Sequence, residues 1–240
     1  PPASTRWPPR TDLPRSCPRR ERMVAVTIVQ PTLSLWDEPE VGRHHTERIL
    51  ADSTDRISWL RARSQGITAT DVARLSSSRA IEAVVLDKLY GNAFSGNAYT
   101  DHGRAREPEI ARWVKLHHSI EPSSKLFYAR GQRQHLATPD GIGELSDGTV
   151  VLAEIKTTSK EWRSIPRSYL RQVWWQQYVL GAERTLVVWE QHIDFVPVSD
   201  EPLCQWVERD DNEIHLLVGL ADQVLERVSR STIESSRMTR

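Results

Sequence analysis

The chain has 240 residues, enough for one domain with a substantial core and short of an assured second. Its 32 Lys and Arg offset 32 Asp and Glu, which excludes a strong overall field for nucleic acid and leaves any DNA contact to a local basic surface. Only Cys17 and Cys204 are present, too few for an intramolecular multi-thiolate zinc or iron–sulfur site; with no signal peptide and no apolar run of membrane-span length, a soluble cytoplasmic protein without a membrane partner is expected.

Residues 1–22 interleave prolines with arginines and contain hardly any aliphatics. Such a segment cannot bury enough apolar surface to offset its ordering entropy, so a disordered extension is expected. It reads as translated upstream sequence before a natural start at Met23, with a basic nucleic-acid-binding arm as the functional alternative. Residues 23–228 are expected to form a single domain, and 229–240 a flexible tail.

Met23 to Gln30 predicts an edge strand and Pro31 to Thr46 a loop. Arg56 to Arg63 predicts a short helix closing at Gln65-Gly66. Thr68-Ala69-Thr70-Asp71 reads as a capping box opening the next helix. A helix start can hold a phosphate, and Arg63 could add a charge-assisted fork; from local sequence alone an ordinary capped helix is the better reading. Ile81 to Tyr90 predicts a further helix with Ile81, Val84, Val85 and Leu89 inward, followed by an Asn- and Gly-rich loop.

Gly103 is expected to open a helix carrying Glu107 and Glu109 in its first turns, with Ile110, Trp113, Val114 and His117 as one inward stripe. Acids there also suit the helix dipole without any catalytic role. Leu126 to Tyr128 and Gln134 to Ala137 predict an antiparallel hairpin around Gly131. Thr138-Pro139-Asp140-Gly141 follows as a turn, with Gly141 able to take positive φ.

Val150 to Lys156 is apolar and β-branched, a buried strand on which Glu154 and Lys156 share one face and Val151, Ala153 and Ile155 the other. If the strand before Asp140 pairs with it, Asp140 and Glu154 converge. Two carboxylates beside an ammonium suit hydrated Mg²⁺, a phosphate and an attacking water. An acid two residues before a lysine is common, however, and the ordinary reading is a solvated strand end.

A polar loop then reaches Pro166, and a helix over Tyr169 to Leu180 closes at Gly181. Tyr169 and Gln172 share a face. Leu186 to Trp189 predicts a buried strand, paired with Ile193 to Val198. Apolar spacing from Leu203 through Val228 predicts one or two amphipathic helices, a possible subunit interface. The eight histidines form no helical zinc-ligand pair, since His44-His45 and His117-His118 are adjacent and diverge.

In this order, Trp59 and Arg63, Gly66-Ile67-Thr68-Ala69-Thr70, Gly103-Arg104-Ala105-Arg106-Glu107, Thr138-Pro139-Asp140-Gly141, Glu154-Ile155-Lys156 and Tyr169 with Gln172 resemble the YqaJ-like viral recombinase, or lambda phage exonuclease, family of PD-(D/E)xK nucleases. The resemblance spans Trp59 to about Trp189. It implies an α/β, restriction-endonuclease-like core, a small mixed sheet flanked by helices with the carboxylates at one edge. It further implies a metal-dependent exodeoxyribonuclease acting 5′ to 3′ on linear duplex ends and leaving single strand for recombination.

By the same resemblance, Asp140, Glu154 and the main-chain carbonyl of Ile155 would hold a metal, and Glu107 would complete a second metal position. The ion would be Mg²⁺, with Mn²⁺ as a substitute. Lys156 would orient the attacking water, Gln172 would hold that lysine or the water, and Tyr169 would support the site. Arg63, Thr70 and Thr138 would bind the 5′-terminal phosphate; threonine stands at two of these positions where the family has serine, and the hydroxyl is retained. A ring-shaped homotrimer and a single-strand annealing recombinase are the implied partners. The alternatives are a RecB-like or structure-specific nuclease of the same fold, and a non-catalytic DNA-binding module.

Overall fold

A computed structural model describes residues 44–91 and 97–238. The 1–22 extension, the expected strand at Met23 to Gln30, nearly all of the loop after it, and most of the Asn- and Gly-rich loop fall outside the described residues. In chain order the elements are β1 (Ile49–Asp52), α1 (Arg56–Ser64), β2 (Ile67–Thr68), α2 (Ala69–Arg74), α3 (Ser78–Tyr90), α4 (Ala98–His118), β3 (Glu121–Pro122), β4 (Lys125–Ala129) and β5 (Gln132–Ala137). There follow β6 (Gly141–Glu144), β7 (Val150–Thr158), α5 (Arg167–Leu180), β8 (Arg184–Ile193), β9 (Val196–Pro197), β10 (Leu203–Glu208) and α6 (Asp211–Met238).

The strands form two mixed sheets. The larger has the order β10-β8-β7-β6-β3, with β9 added on β8, and the smaller has β1-β4-β5-β2. β7 and β8 are parallel, joined through α5, whereas β6 lies antiparallel to β7. β7 is therefore an interior strand, and its carboxylate does not sit at a sheet edge as expected. Both of its faces are covered: Val150 and Leu152 join the core beneath α5, while Val151, Ala153 and Ile155 pack with Ile110, Ala111 and Val114 of α4. A strand buried on both faces reads as a continuous apolar run, as this one does.

The chain changes sheets at the Asp140 turn. β5, the strand before it, belongs to the smaller sheet; β6, the strand after it, pairs with β7. The expected pairing is thus made by the following strand, and Asp140 N–H already donates to Ala153 O at 3.2 Å. Gly141 does not take positive φ. A Cβ there would meet Ile120 Cγ2 at 2.9 Å and Ala153 Cβ at 3.1 Å, so glycine serves close packing. Gly66 is tighter, since a Cβ would stand 2.2 Å from the backbone oxygen of Gln134.

Three helical expectations change. α4 begins at Ala98, five residues before Gly103, because Asn97 caps it by accepting from Thr100 N at 3.1 Å. Gly103 instead allows close approach, as a Cβ would lie 3.2 Å from Thr157 Oγ1. His117 is exposed and bonded to Trp113 O, so the inward stripe runs through Ile110, Ala111 and Val114. Leu203–Glu208 is a strand antiparallel to β8, and only the apolar residues from Ile214 onward belong to a helix. Asp210 starts that helix by accepting from Glu213 N at 3.1 Å.

α6 also continues past Ser229 to Met238, where a frayed tail was expected. The Arg230–Glu226 pair at helical spacing and the Thr232 hydroxyl on Val228 O support the added turns.

Candidate active site

β7 delivers Glu154 and Lys156 onto its α5 side, as the two-residue side-chain period requires. Glu154 is 1 % exposed, and a bare buried carboxylate would be very costly. Its Oε1 accepts from Lys156 Nζ and from Gln172 Nε2, and its Oε2 accepts from Gln176 Nε2 at 2.7 Å. Asp140 reaches the same strand from its turn, its Oδ2 accepting the Ile155 N–H at 2.7 Å. Lys156 Nζ lies 5.2 Å from the centre of the Tyr169 ring, which packs at 5.2 Å against Trp162.

Electrostatics tie Glu107 to this group. Burial and then the Glu154 charge push the Asp140 carboxyl well above the usual carboxylate range, with Glu107 adding to the rise and Lys156 and the Ile155 N–H opposing it. Glu107, exposed on α4 one turn before the inward Ile110 and Ala111, is also raised, first by partial loss of solvent and then by Glu154. Burial alone would lower the Lys156 ammonium; the Glu154 and Asp140 charges outweigh it, and its pKa lies above the ordinary lysine value. Asp140, Glu154 and Glu107 therefore repel one another beside the Lys156 ammonium.

The donor set is all oxygen, which matches hard cations such as Mg²⁺, and a divalent ion would relieve the repulsion. By the chemistry of their oxygens, Asp140, Glu154 and Glu107 suit such an ion. Among the described residues no three His, Cys, Asp or Glu side chains form a ready-made metal cage. Glu154 is held by Lys156 and the two glutamines, so metal binding would compete with those bonds.

Of the three residues expected at a 5′-phosphate, Arg63 lies on α1, Thr70 on α2 and Thr138 directly after β5. Parallel β2 and β5 pair Thr68 with Leu136; Thr70 and Thr138 each come two residues later in the chain, Thr70 already inside α2. Thr70 is exposed on α2, whose opening is the expected capping box of Thr68 and Asp71. Thr138 Oγ1 is buried and has no hydrogen-bond partner among the described residues. Arg63 is partly buried, with its guanidinium carbon 4.4 Å over the Trp59 ring; burial lowers its pKa and Asp71 opposes this.

Residues 58–183 match the model of the YqaJ-like viral recombinase domain. The chain belongs to that family. Among solved structures it is similar to an alkaline exonuclease, LHK-Exo, from Laribacter hongkongensis, with 21% identity and a TM-score of 0.60, covering 76% of this chain and 97% of that one. The complex of LHK-Exo with dAMP matches equally. A phage-related exonuclease from Haemophilus somnus 129PT matches with 12% identity and a TM-score of 0.56 over 71% of this chain and 96% of its own. At such identities the likeness is one of fold. No curated protein matches the sequence.

Two residues of this YqaJ-like domain escaped the sequence reading. Gln176, fully buried, completes the shell of Glu154. Its signal was the four-residue spacing from Gln172, which places both amides on one face of α5. Arg106 grips the buried Glu190 of β8 through two bonds, Nε to Oε1 at 2.8 Å and Nη2 to Oε2 at 2.6 Å. That fork fixes α4 against the sheet immediately beside Glu107; the pairing crosses 84 positions, and no local pattern announces it.

Proposed function

We propose that this YqaJ-family protein is a Mg²⁺-dependent exodeoxyribonuclease that degrades linear double-stranded DNA from its ends, 5′ to 3′, leaving single strand for recombination. Mn²⁺ would replace Mg²⁺. The observation that carries the reading is the convergence of Asp140, through the Ile155 N–H, and of Lys156, through its carboxylate bond, on buried Glu154. A fully paired structural salt bridge has no need of a second, half-buried carboxylate held in repulsion beside it.

Asp140, Glu154, the Ile155 carbonyl and Glu107 would hold the metal. When bound, it supplies an activated water and charge stabilisation for phosphodiester hydrolysis. Lys156, whose charged form its carboxylate neighbours favour, presents a positive charge to the phosphate and serves as an electrostatic partner. Gln172 and Gln176 hold Glu154 so that Lys156 can turn toward substrate without leaving a bare buried charge, and the Tyr169 ring faces the lysine ammonium. Arg63, Thr70 and Thr138 would take the 5′-terminal phosphate; the unpartnered Thr138 hydroxyl supports this, since a phosphate oxygen would satisfy it. Anchoring the end in this way directs hydrolysis to the terminus.

The same reading extends to a ring-shaped homotrimer around the duplex, cooperation with a single-strand annealing recombinase, and action in the cytoplasm. Among the described residues no helix is long and apolar enough to cross a membrane.

The test is purified protein with linear and closed circular duplex, with and without Mg²⁺. Linear DNA should be lost only with metal, and circles should survive. Cutting of circles would favour a RecB-like or structure-specific nuclease. Binding without metal-dependent turnover would make this a DNA-binding module.

A further inference from the structure

Beyond Lys156, a cavity of about 330 Å³ opens between the end of β7, the loop into α5 and the first turn of α4. Its walls include Tyr99, Thr157, Lys160, Trp162, Tyr169 and His192. Resting on the nuclease reading above, we propose that this cavity receives one unstacked nucleobase, with its sugar, of the DNA strand whose phosphate lies at Lys156.

Position is the first argument. Thr157 directly follows Lys156, and the Tyr169 ring that lines the cavity also lies 5.2 Å from the lysine ammonium. Whatever fills the cavity is thus next to a phosphate held by that ammonium.

Chemistry is the second. Aromatic rings of Tyr99, Trp162 and Tyr169 offer stacking faces, which any base can use. Trp162 is held for this by Trp189, stacked at 5.3 Å and 28°, and by Tyr169 at 5.2 Å. Hydroxyls of Thr157 and Ser168 and the ammonium of Lys160 supply polar contacts on the same walls. His192 is 2 % exposed, and its Nδ1 has no hydrogen-bond partner among the described residues. A base edge could satisfy it, since an imidazole nitrogen either donates or accepts. A bare phosphate would leave the rings unused, and an apolar ligand would strand the hydroxyls and the cation.

The cavity is also prearranged. Thr158 Oγ1 accepts from Lys160 N at 3.0 Å and donates to Lys160 O at 3.1 Å, which locks the turn that forms one wall. On the opposite side Gly103 lets α4 press onto Thr157. The volume falls in the range of small-ligand pockets, about 300–1,000 Å³.

Calorimetric titration of the full, metal-free chain with thymidine 5′-monophosphate and with deoxyribose 5-phosphate tests the assignment. The nucleotide should bind and the base-free sugar phosphate should bind far more weakly. Loss of one stacking ring should weaken nucleotide binding roughly 5- to 100-fold. Trp162→Ala should show this and Trp162→Phe should restore most of it. Tyr99→Ala is a second variant that keeps the fold, because Tyr99 is 56 % exposed.

On linear duplex the Trp162→Ala and Tyr99→Ala losses should appear mainly in KM. Equal binding of the two probes, or nucleotide affinity unmoved in both alanine variants, overturns the proposal even if the protein cuts DNA. Ring-dependent nucleotide binding by a protein that cuts no DNA would uphold the base pocket and sink the nuclease reading.

Discussion

Gln176 Nε2 donates to Oε2 of Glu154 at 2.7 Å, from a position where neither residue meets solvent. The pair divides the carboxylate: one oxygen belongs to Gln176, the other to Lys156 and Gln172. An immobile Oε2 lets Oε1 change partners without freeing the side chain. Gln176→Ala removes one donor from a buried charge and should destabilise the fold by about 1–3 kcal/mol. Urea unfolding measures the loss, and Gln176→Glu should be at least as harmful because it puts a second carboxylate against the first.

Nuclease activity should vanish when the charges change but the shapes do not. Asp140→Asn, Glu154→Gln and Lys156→Met should each lower kcat by roughly 10²-fold or more, the scale for removing an electrostatic contact to the reacting group. Circular dichroism should show all three folded. Full digestion by any of them would remove that residue from the site.

End chemistry tests the other cluster. Linear duplex with a 5′-phosphate should be digested faster than the 5′-hydroxyl form. Arg63→Ala should erase that preference, a charged hydrogen bond being worth about 1.5–3 kcal/mol. Thr138→Val should act in the same direction while keeping the shape of the side chain. Equal rates on both ends in the unaltered protein would leave hydrolysis standing and dismiss the anchor.

Acid should loosen the molecule through its histidines. Burial lowers the pKa of His135, with the carboxylate of Asp222, 3.1 Å from Nε2, opposing the shift; His45, His102 and His118 are lowered as well, burial being the largest cause in each. In the unfolded chain these groups titrate near the ordinary value of about 6.5. Below that pH the unfolded state binds protons that the folded state refuses, so stability rises with pH through this window and falls as pH drops. The melting temperature should therefore decline from about pH 7 toward pH 5, and His135→Gln should flatten the slope.

Gly66→Ala should be among the most damaging small substitutions. A Cβ there would collide with the Gln134 backbone at 2.2 Å, and backbone cannot swing aside as a side-chain tip can. Overpacking of this kind costs about 1–3 kcal/mol. Because Gly66 leads from α1 into β2, the 5′-phosphate preference should fall with the melting temperature.

Local sequence determined what depends on near neighbours. The capping box at Thr68 and Asp71, the Gly131 hairpin, the Gly181 helix stop and the sidedness of Glu154 and Lys156 on β7 follow from spacing and backbone preference. The ordered short motifs also identified the family. Tertiary structure decided the rest. That β6 and not β5 pairs with β7, that Leu203–Glu208 is a strand, that Gly103 lies inside α4, and that Gln176 and Arg106 close on Glu154 and Glu190 all depend on distant partners. An alternating or apolar hexamer becomes strand or helix according to what covers it, and a buried charge finds its donor across the fold. Neither contact exists until the chain has packed.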